Sequence, residues 1–363
     1  MNVQLDNSCG FFLPMLTMKR CLRLLFIATI ILGVFRLLYI LFAKQVYGEP
    51  KLHPRLLWSK GYLPSEGHQK GSFSVQLINL RVIVLTYNRA EALTRCLASL
   101  NEAEYYGDTV HIDVWIDRSK NGDIDDYTYT AALLCQFKFG TITVHNHTRH
   151  VGIYGQWLGT WKVKEQTEEI AIFLEDDLTV SRYFYKWLKA VHGKYDSVAN
   201  INGYSTQGMS MKHSGDPGWL QAPQSEVVFS YPVLGTWGFS PSRKNWIGFL
   251  NWYQIAASNA SFHPLVPGLK PSEWYNSFIK SGRTDSMWSM WHIYYAHMNN
   301  ELTIYPNLPL RQGLTTNGNE KGLHFSAKQK TQAGTALDKW NDKYSTLPAV
   351  PVQLDTHGRV VRS

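Results

Sequence analysis

Between residues 81 and 195, short apolar runs alternate with longer segments in which apolar residues recur every three or four positions. Short apolar runs are typical of buried β-strands, whereas the recurring positions are typical of helices with one apolar face. Strands are therefore predicted at 81–89, 111–117, 141–145 and 170–174. The resulting β-α-β-α-β-α-β order predicts a parallel sheet covered by helices.

The predicted helices follow the strands. In the first helix, apolar residues occupy positions i, i+3, i+4 and i+7 from Leu93, and Asn88 and Glu91 have the spacing of a capping box at its start. Ser181 is a possible N-cap for the last of these helices. The other two helices are predicted at 127–137 and 155–169.

Polar residues follow three of the predicted strands at the point where each strand ends. Asn88 lies at the end of the first strand, Asp117 ends the second, and residues 175–177 follow the fourth. In parallel α/β sheets, ligands bind at the carboxyl ends of the strands. We therefore expect a functional site at this edge of the sheet.

The acidic triplet Glu175-Asp176-Asp177 directly follows the buried run 170–174. Three carboxylates within about 6–7 Å of one another repel and raise one another's pKa, which a divalent cation would relieve. Mn²⁺ and Mg²⁺ prefer carboxylate oxygens and keep positions open for phosphate oxygens. The alternative is that the two aspartates cap or charge-complement the next helix while Glu175 is solvated.

Three stretches together resemble a known family: VIVLTYNRAEALTRCLASL, WIDRS and IFLEDDL. They are similar to the nucleotide-sugar-dependent GT-A glycosyltransferases, notably the family 2-like enzymes and the Golgi β-1,2-N-acetylglucosaminyltransferase I that acts on N-glycans. The resemblance implies a GT-A fold, which is Rossmann-like with a mainly parallel sheet. It also implies a UDP-sugar donor, with UDP-GlcNAc as the best single guess, and Mn²⁺ or Mg²⁺ as the metal.

The resemblance also assigns roles at the sheet edge. The triplet corresponds to the family's DxD motif, so Asp177 is the expected metal ligand, and Glu175 and Asp176 belong to the donor site. Asp117 is expected to accept a hydrogen bond from uracil N3–H. The other expected nucleotide contacts are Thr86, Asn88 and Arg89, with Arg89 facing phosphate. Without the family, each is equally a strand-end or capping polar group.

Three later stretches, 231–246, 284–291 and 317–325, resemble the acceptor side, the segment of the catalytic base and a loop that closes over the donor. Asp285 is then the expected base that takes the acceptor hydroxyl proton during inversion. As an alternative, it is a first-turn acid favoured by the helix dipole. His324 is expected to contact metal or phosphate. Gly235 and Trp237 either shape the acceptor pocket or pack in the core.

Near the N-terminus, residues 24–43 are apolar apart from Arg36, long enough to span a bilayer. Basic residues precede this run, which predicts a type II signal anchor in the Golgi membrane with a luminal catalytic domain. A cleaved signal peptide is the alternative. The expected organisation is a cytosolic tail (1–23), an anchor (24–43), a stem (44–78), a GT-A domain with an insertion near 247–275 (79–328) and a C-terminal tail (329–363).

Luminal exposure is consistent with two glycosylation sequons, at Asn146 and Asn259. Cys96 and Cys135 are expected either to pair or to remain buried thiols. The net charge of +8 favours anionic ligands, but no long cationic block indicates nucleic-acid binding.

Other site classes find little support in the sequence. Three histidines at 145, 147 and 150 suggest zinc only weakly, because no fourth ligand is evident. The glycines of residues 152–159 do not form G-x-G-x-x-G, and there is no Walker A sequence.

The sequence thus predicts a metal-dependent glycosyltransferase with a glycan or glycoprotein acceptor. Two alternatives stay open. One is a non-catalytic, membrane-anchored carbohydrate-binding or scaffold protein that retains the fold. The other is a metal-dependent phosphodiesterase or nucleotidyltransferase, for which residues holding a second metal are not apparent.

Overall fold

The structure, a computed structural model, describes residues 77–163, 168–216, 218–318, 320 and 334–361. The predicted anchor at 24–43, nearly all of the stem and His324 lie outside the described residues. Within the described ranges, no helix combines the length and apolar character needed to cross a bilayer.

A nine-stranded mixed sheet, in the order β11-β7-β9-β6-β8-β4-β1-β2-β3, forms the centre of the domain, and β10 and β5 form a separate antiparallel pair. The strands are β1 Leu80–Thr86, β2 Val110–Ile116, β3 Gly140–Asn146, β4 Ile170–Glu175, β5 Leu178–Val180, β6 Ile201–Ser205, β7 Val228–Tyr231, β8 Phe239–Pro241, β9 Leu302–Pro306, β10 Thr315–Asn317 and β11 Val352–Gln353. The helices are α1 Ala90–Glu102, α2 Asp126–Leu134, α3 Gly152–Gly159, α4 Phe184–Tyr195, α5 Arg243–Ala256, α6 Lys270–Lys280 and α7 Ser289–Met298.

The first half of the domain has the predicted topology. Strands β3, β2, β1 and β4 are all parallel, so their carboxyl ends meet at one edge of the sheet. Beyond β4 the sheet is no longer parallel throughout, because β8 is antiparallel to both of its neighbours. The prediction of a mainly parallel sheet with flanking helices is confirmed for the part that carries the candidate site.

Three predictions about helix boundaries are wrong. Helix α4 begins after Tyr183, its N-cap, so Ser181 is not the cap, and the Ser181 hydroxyl donates to Leu337 O instead. Helix α1 begins after Arg89, which is its N-cap and makes no capping hydrogen bond through its side chain. Asn88 is therefore one residue too early for the capping box. Helix α3 spans Gly152–Gly159 rather than 155–169. Glycine has a low helix propensity, and α3 ends at Gly159.

Apolar side chains pack against both faces of the sheet. One core forms around α1 and α4, and the other is rich in aromatic rings from α3, α5 and α7. In the aromatic core, the Trp157 indole stacks on Phe173 and on Trp288, with ring centroids 5.0 Å and 4.3 Å apart. Aromatic pairs of this kind add about 0.5–1.5 kcal/mol each beyond the burial of their area.

Residues 334–361, which belong to the segment expected as a C-terminal tail, pack against the rest of the domain. Strand β11 pairs in parallel with β7 at the edge of the sheet, and Leu337 and Leu354 are buried. Burying these apolar side chains offsets the entropy of ordering the segment. The two described cysteines are free thiols, Cys96 buried and Cys135 half-buried.

Candidate active site

The acidic triplet lies where β4 ends, directly beside the end of β1. Glu175 is the last residue of β4 and is opposite Leu85 in the parallel register. The backbone N–H of Asp176 donates to Leu85 O at 3.0 Å, and the Thr86 hydroxyl donates to Asp176 Oδ2 at 2.7 Å. The sheet therefore fixes Asp176, and Thr86 serves as its hydrogen-bond donor.

Arg89 pairs with both aspartates. Its Nη2 contacts Asp176 Oδ1, and its Nη1 is 3.2 Å from Asp177 Oδ2. The sequence suggested that Arg89 faces a phosphate, and that contact stays a prediction. Asp177 Oδ1, by contrast, is buried and has no hydrogen-bond partner among the residues that the structure describes.

Burial and mutual repulsion determine the protonation of the triplet. Burial, followed by the charges of Asp177 and Asp176, raises the pKa of Glu175 to about 8. Burial raises the pKa of Asp176 to about 6, although the Arg89 charge opposes this increase. At pH 7 Glu175 is thus largely protonated, and two aspartates against one guanidinium leave one excess negative charge.

The acidic triplet fits a divalent cation, and Arg89 already supplies part of the positive charge that the triplet requires. Asp177 Oδ1 has no partner among the described residues, and hard divalent cations prefer carboxylate oxygens as ligands. The excess negative charge also favours a cation. Arg89 already neutralises one carboxylate, and Glu175 is largely protonated. One positive charge, rather than three, is therefore enough to balance the charge of the site.

Asp117 lies directly after β2 and holds the start of α3 through hydrogen bonds. Its carboxylate accepts from the backbone N–H groups of Arg118 at 2.8 Å and of Val151 and Gly152 at 2.9 Å. The His150 Nδ1 is 3.1 Å from Asp117 Oδ2. The carboxylate therefore positions the loop and helix that border the site, and the expected uracil contact stays a prediction.

Two residues of α3 join the site although the sequence pattern did not single them out. The Gln156 amide donates to Thr86 O at 2.8 Å and to Trp115 O at 3.2 Å, which ties the helix to the ends of β1 and β2. The Trp157 indole N–H donates to Glu175 Oε1 at 3.1 Å. A glutamine next to tryptophan in a short, mainly apolar helix is the sequence signal that could have identified them.

Asp285 is exposed in a short 3-10 turn, Thr284–Ser286, just before α7. The Tyr154 hydroxyl donates to Thr284 O at 2.8 Å, which links this turn to α3. Trp288, three residues later, stacks on Trp157, which in turn contacts Glu175. Asp285 is thus connected through α3 to the acidic triplet, and its catalytic role stays a prediction.

The remaining site candidates differ in their surroundings. Asn88 is exposed and directly precedes Arg89 in the chain. A Cβ at Gly235 would lie 2.3 Å from Gln207 Cδ, so this glycine allows close packing. The Trp237 backbone N–H donates to Gln207 Oε1 at 3.0 Å, and its side chain packs against the core.

The histidines near 145–150 do not converge on one point. His145 Nε2 is 2.6 Å from Asp113 Oδ1, whereas His147 Nε2 is 3.1 Å from Gln156 Oε1. His150 contacts the Asp117 carboxylate and the backbone oxygen of Arg118. In the described part of the chain they therefore serve as separate hydrogen-bonding groups.

No protein-family model matches this sequence, and no curated protein matches it significantly. Among solved structures, a mannosyltransferase from Pyrobaculum calidifontis in complex with GDP-Man and Mn²⁺ has a TM-score of 0.31 and 16% identity, over 47% of this chain and 46% of that one. TarS 1-349 from S. aureus in complex with UDP-GlcNAc has a TM-score of 0.33 and 12% identity, over 48% of each chain. Mouse xyloside xylosyltransferase 1 has a TM-score of 0.32 and 9% identity, over 58% of this chain and 84% of that one.

The match spans about half the length of the first two of these proteins. At such low identities and TM-scores, the similarities identify neither the fold nor the activity of this chain.

Proposed function

We propose that this protein is a divalent-metal-dependent GT-A glycosyltransferase. In this proposal it moves a sugar from a UDP-sugar to a glycan or glycoprotein acceptor with inversion. The observation that carries the proposal is the buried Asp177 Oδ1, which has no hydrogen-bond partner among the described residues and lies beside the carboxyl ends of β1, β2 and β4. UDP-GlcNAc is the best single candidate for the donor, and it rests on the sequence resemblance alone.

Each residue of the site has a distinct proposed role. Asp177 holds the metal, with Asp176 and Glu175 beside the donor. When bound, the metal supplies positive charge to the departing diphosphate. Arg89 is charged at all physiological pH values and is close enough to share the diphosphate charge if its guanidinium turns from the aspartates. Asp117 keeps the α3 loop in place against the nucleoside.

Asp285 is proposed to take the acceptor hydroxyl proton as the hydroxyl oxygen attacks the anomeric carbon. Its exposed position lets an acceptor reach it from solvent. The rings of Trp288 and Trp291, which follow it in the chain, are buried in the aromatic core. A general base of this kind typically contributes 10²–10⁴-fold to the rate.

The proposal is tested by melting temperatures of the purified protein with a panel of nucleotide sugars, with and without Mn²⁺. We expect one donor to stabilise the protein only when Mn²⁺ is present, and Asp177→Asn to lose this effect. Asp285→Asn should keep it while losing transfer. If no nucleotide stabilises the wild type, the proposal is wrong. If Asp285→Asn retains turnover, Asp285 is not the base.

A non-catalytic carbohydrate-binding protein is the alternative, and it predicts a different result in the same assay. Glycans alone would stabilise it, and neither a nucleotide nor Asp177→Asn would change its melting temperature. An enzyme that cleaves or transfers nucleotides would instead convert the donor without an acceptor sugar.

We further propose a type II orientation in the Golgi membrane, supported by the apolar stretch 24–43 and the basic residues before it. Asn259 is exposed in the loop after α5, whereas Asn146 ends β3 with its side-chain oxygen buried. Luminal protein should therefore carry an N-glycan at Asn259. A glycosidase-sensitive mass shift that disappears in Asn259→Gln supports this, and an unglycosylated wild type from secretory membranes contradicts it.

A further inference from the structure

A second group of potential ligands lies near the far edge of the sheet, where the loop before residue 217 meets the segment after β11. One ligand atom each of His213, Asp216 and His357 lies within 4.8 Å of the others. In the sheet order, β11 is separated from β4 by five strand spacings, which at about 4.8 Å each gives roughly 24 Å. This trio is therefore distinct from the acidic triplet.

The three side chains already contact one another. His357 Nδ1 is 2.7 Å from Asp216 Oδ2. The rings of His213 and His357 are stacked, with centroids 4.2 Å apart and an interplanar angle of 18°. The stacked rings and the His357–Asp216 contact thus bring two imidazoles and one carboxylate together.

Backbone contacts hold the two chain segments together. The His213 N–H donates to Thr356 O at 2.6 Å, and the Asp216 N–H donates to His213 O at 3.1 Å. The Asp355 carboxylate accepts from the His357 N–H at 2.9 Å and pairs with Arg359. The ligand-bearing backbone is thus organised before any ion binds.

We propose that His213, Asp216 and His357 form a binding site for Zn²⁺. Two imidazole nitrogens and one carboxylate oxygen are ligands typical of zinc, and three protein ligands leave a fourth position for water. Ligand atoms around tetrahedral zinc lie about 3.3 Å apart, given bonds of roughly 2.0–2.1 Å. Asp216 and His357 have side chains that are 31% and 38% exposed, which gives an ion access and lets these side chains rotate to close the site.

Zinc at this site would join residues that are 141 positions apart in the sequence. It would fasten the segment that contains β11 to the rest of the domain. Because an ion that binds the folded state shifts the unfolding equilibrium, the protein should be stabilised in proportion to zinc occupancy.

The test uses full-length protein freed of metal with a chelator, then titrated with Zn²⁺ at pH 7.5. We expect one tightly bound equivalent, held through the two imidazoles, that raises the melting temperature. His357→Gln should bind zinc at least about tenfold more weakly, since losing even a supporting hydrogen-bond partner costs roughly 10–100-fold. Two controls should bind as the wild type does: His297→Gln, which changes an exposed histidine elsewhere, and Asp177→Asn, which alters the acidic triplet.

If His357→Gln and the wild type bind zinc equally, the proposal is wrong. It is also wrong if Asp177→Asn removes the zinc effect, because the ion then belongs to the acidic triplet. Should His357→Gln fail to fold, Co²⁺ decides the question. The wild type and Asp177→Asn should both develop the visible absorption of tetrahedral cobalt, which one equivalent of Zn²⁺ abolishes. Absence of that absorption overturns the proposal.

Discussion

The Arg89 guanidinium reaches Asp177 through one carboxylate oxygen, with Nη1 3.2 Å from Oδ2. The other oxygen, Oδ1, is buried and unpaired within the described residues. Leaving a buried acceptor without a partner costs about 1–3 kcal/mol. Arg89 therefore neutralises the charge of the two aspartates only partly. A cation bound at Asp177 Oδ1 would neutralise the remaining negative charge.

Replacing Arg89 tests this relationship. Arg89→Gln removes the internal counter-charge, so we expect the free energy of unfolding without metal to fall by about 2–4 kcal/mol. Mn²⁺ should then stabilise the variant more than it stabilises the wild type, because the ion no longer shares the aspartates with a guanidinium. Urea denaturation with and without Mn²⁺ measures both effects.

A suitable control is Arg95→Gln, since Arg95 is about half-exposed and pairs with Glu320 rather than with the triplet. An exposed ion pair contributes about 0–1 kcal/mol. An equal or smaller effect of Mn²⁺ on Arg89→Gln than on the wild type would mean that no cation replaces the guanidinium.

The protonation of Glu175 predicts a dependence of stability on pH. Its pKa of about 8 in the folded protein lies above the ordinary value of 4.5. The folded state therefore retains a proton that the unfolded state loses, and the free energy of unfolding falls as the pH rises from about 4.5 to 8.

Glu175→Gln should abolish this fall in the free energy of unfolding with pH. The glutamine keeps an acceptor for the Trp157 indole N–H. Between pH 6.5 and 8.5, in the presence of a chelator, we expect the variant to gain about 1–3 kcal/mol relative to the wild type. Glu168→Gln changes an exposed carboxylate and should leave the pH profile unaltered. Parallel profiles for Glu175→Gln and the wild type would show that Glu175 is ionised throughout.

Much of the first half of the fold could be predicted because local and global signals agree there. In β1, β2 and β4, apolar runs bury both faces of a parallel strand, so the sequence pattern and the tertiary environment favour the same structure. The end of each strand then locates Thr86, Asp117 and the acidic triplet without knowledge of any long-range contact.

Contacts between distant segments could not be read from such patterns. The pairing of Arg89 with the aspartates depends on where the first turn of α1 lies relative to β4, 87 residues later. The interactions of Gln156 and Trp157 depend on the packing of a helix of only eight residues. β11 has only two residues, too few for a periodic pattern, and its place in the sheet is set by its partner β7.

Close packing at Gly235 gives a further prediction. A Cβ there would lie 2.4 Å from Ser205 Oγ as well as against Gln207, whose side-chain oxygen accepts from the Trp237 N–H. Gly235→Ala should therefore lower the free energy of unfolding by about 1–3 kcal/mol through overpacking.

Gly159 provides the matched control, because a Cβ at the end of α3 would meet no atom within 4 Å. Gly159→Ala should leave stability unchanged or raise it by up to about 1 kcal/mol. Chemical denaturation of the two variants compares them directly. Equal effects would mean that the environment of Gly235 is less crowded than the structure indicates.

The most direct test of the central claim is the anomalous diffraction of manganese in crystals grown with Mn²⁺ and UDP. We predict a peak at bonding distance from Asp177 Oδ1, with the diphosphate beside it, and loss of the peak in Asp177→Asn. A wild-type crystal with no manganese at this position, in which Arg89 still pairs with both aspartates, would contradict the account.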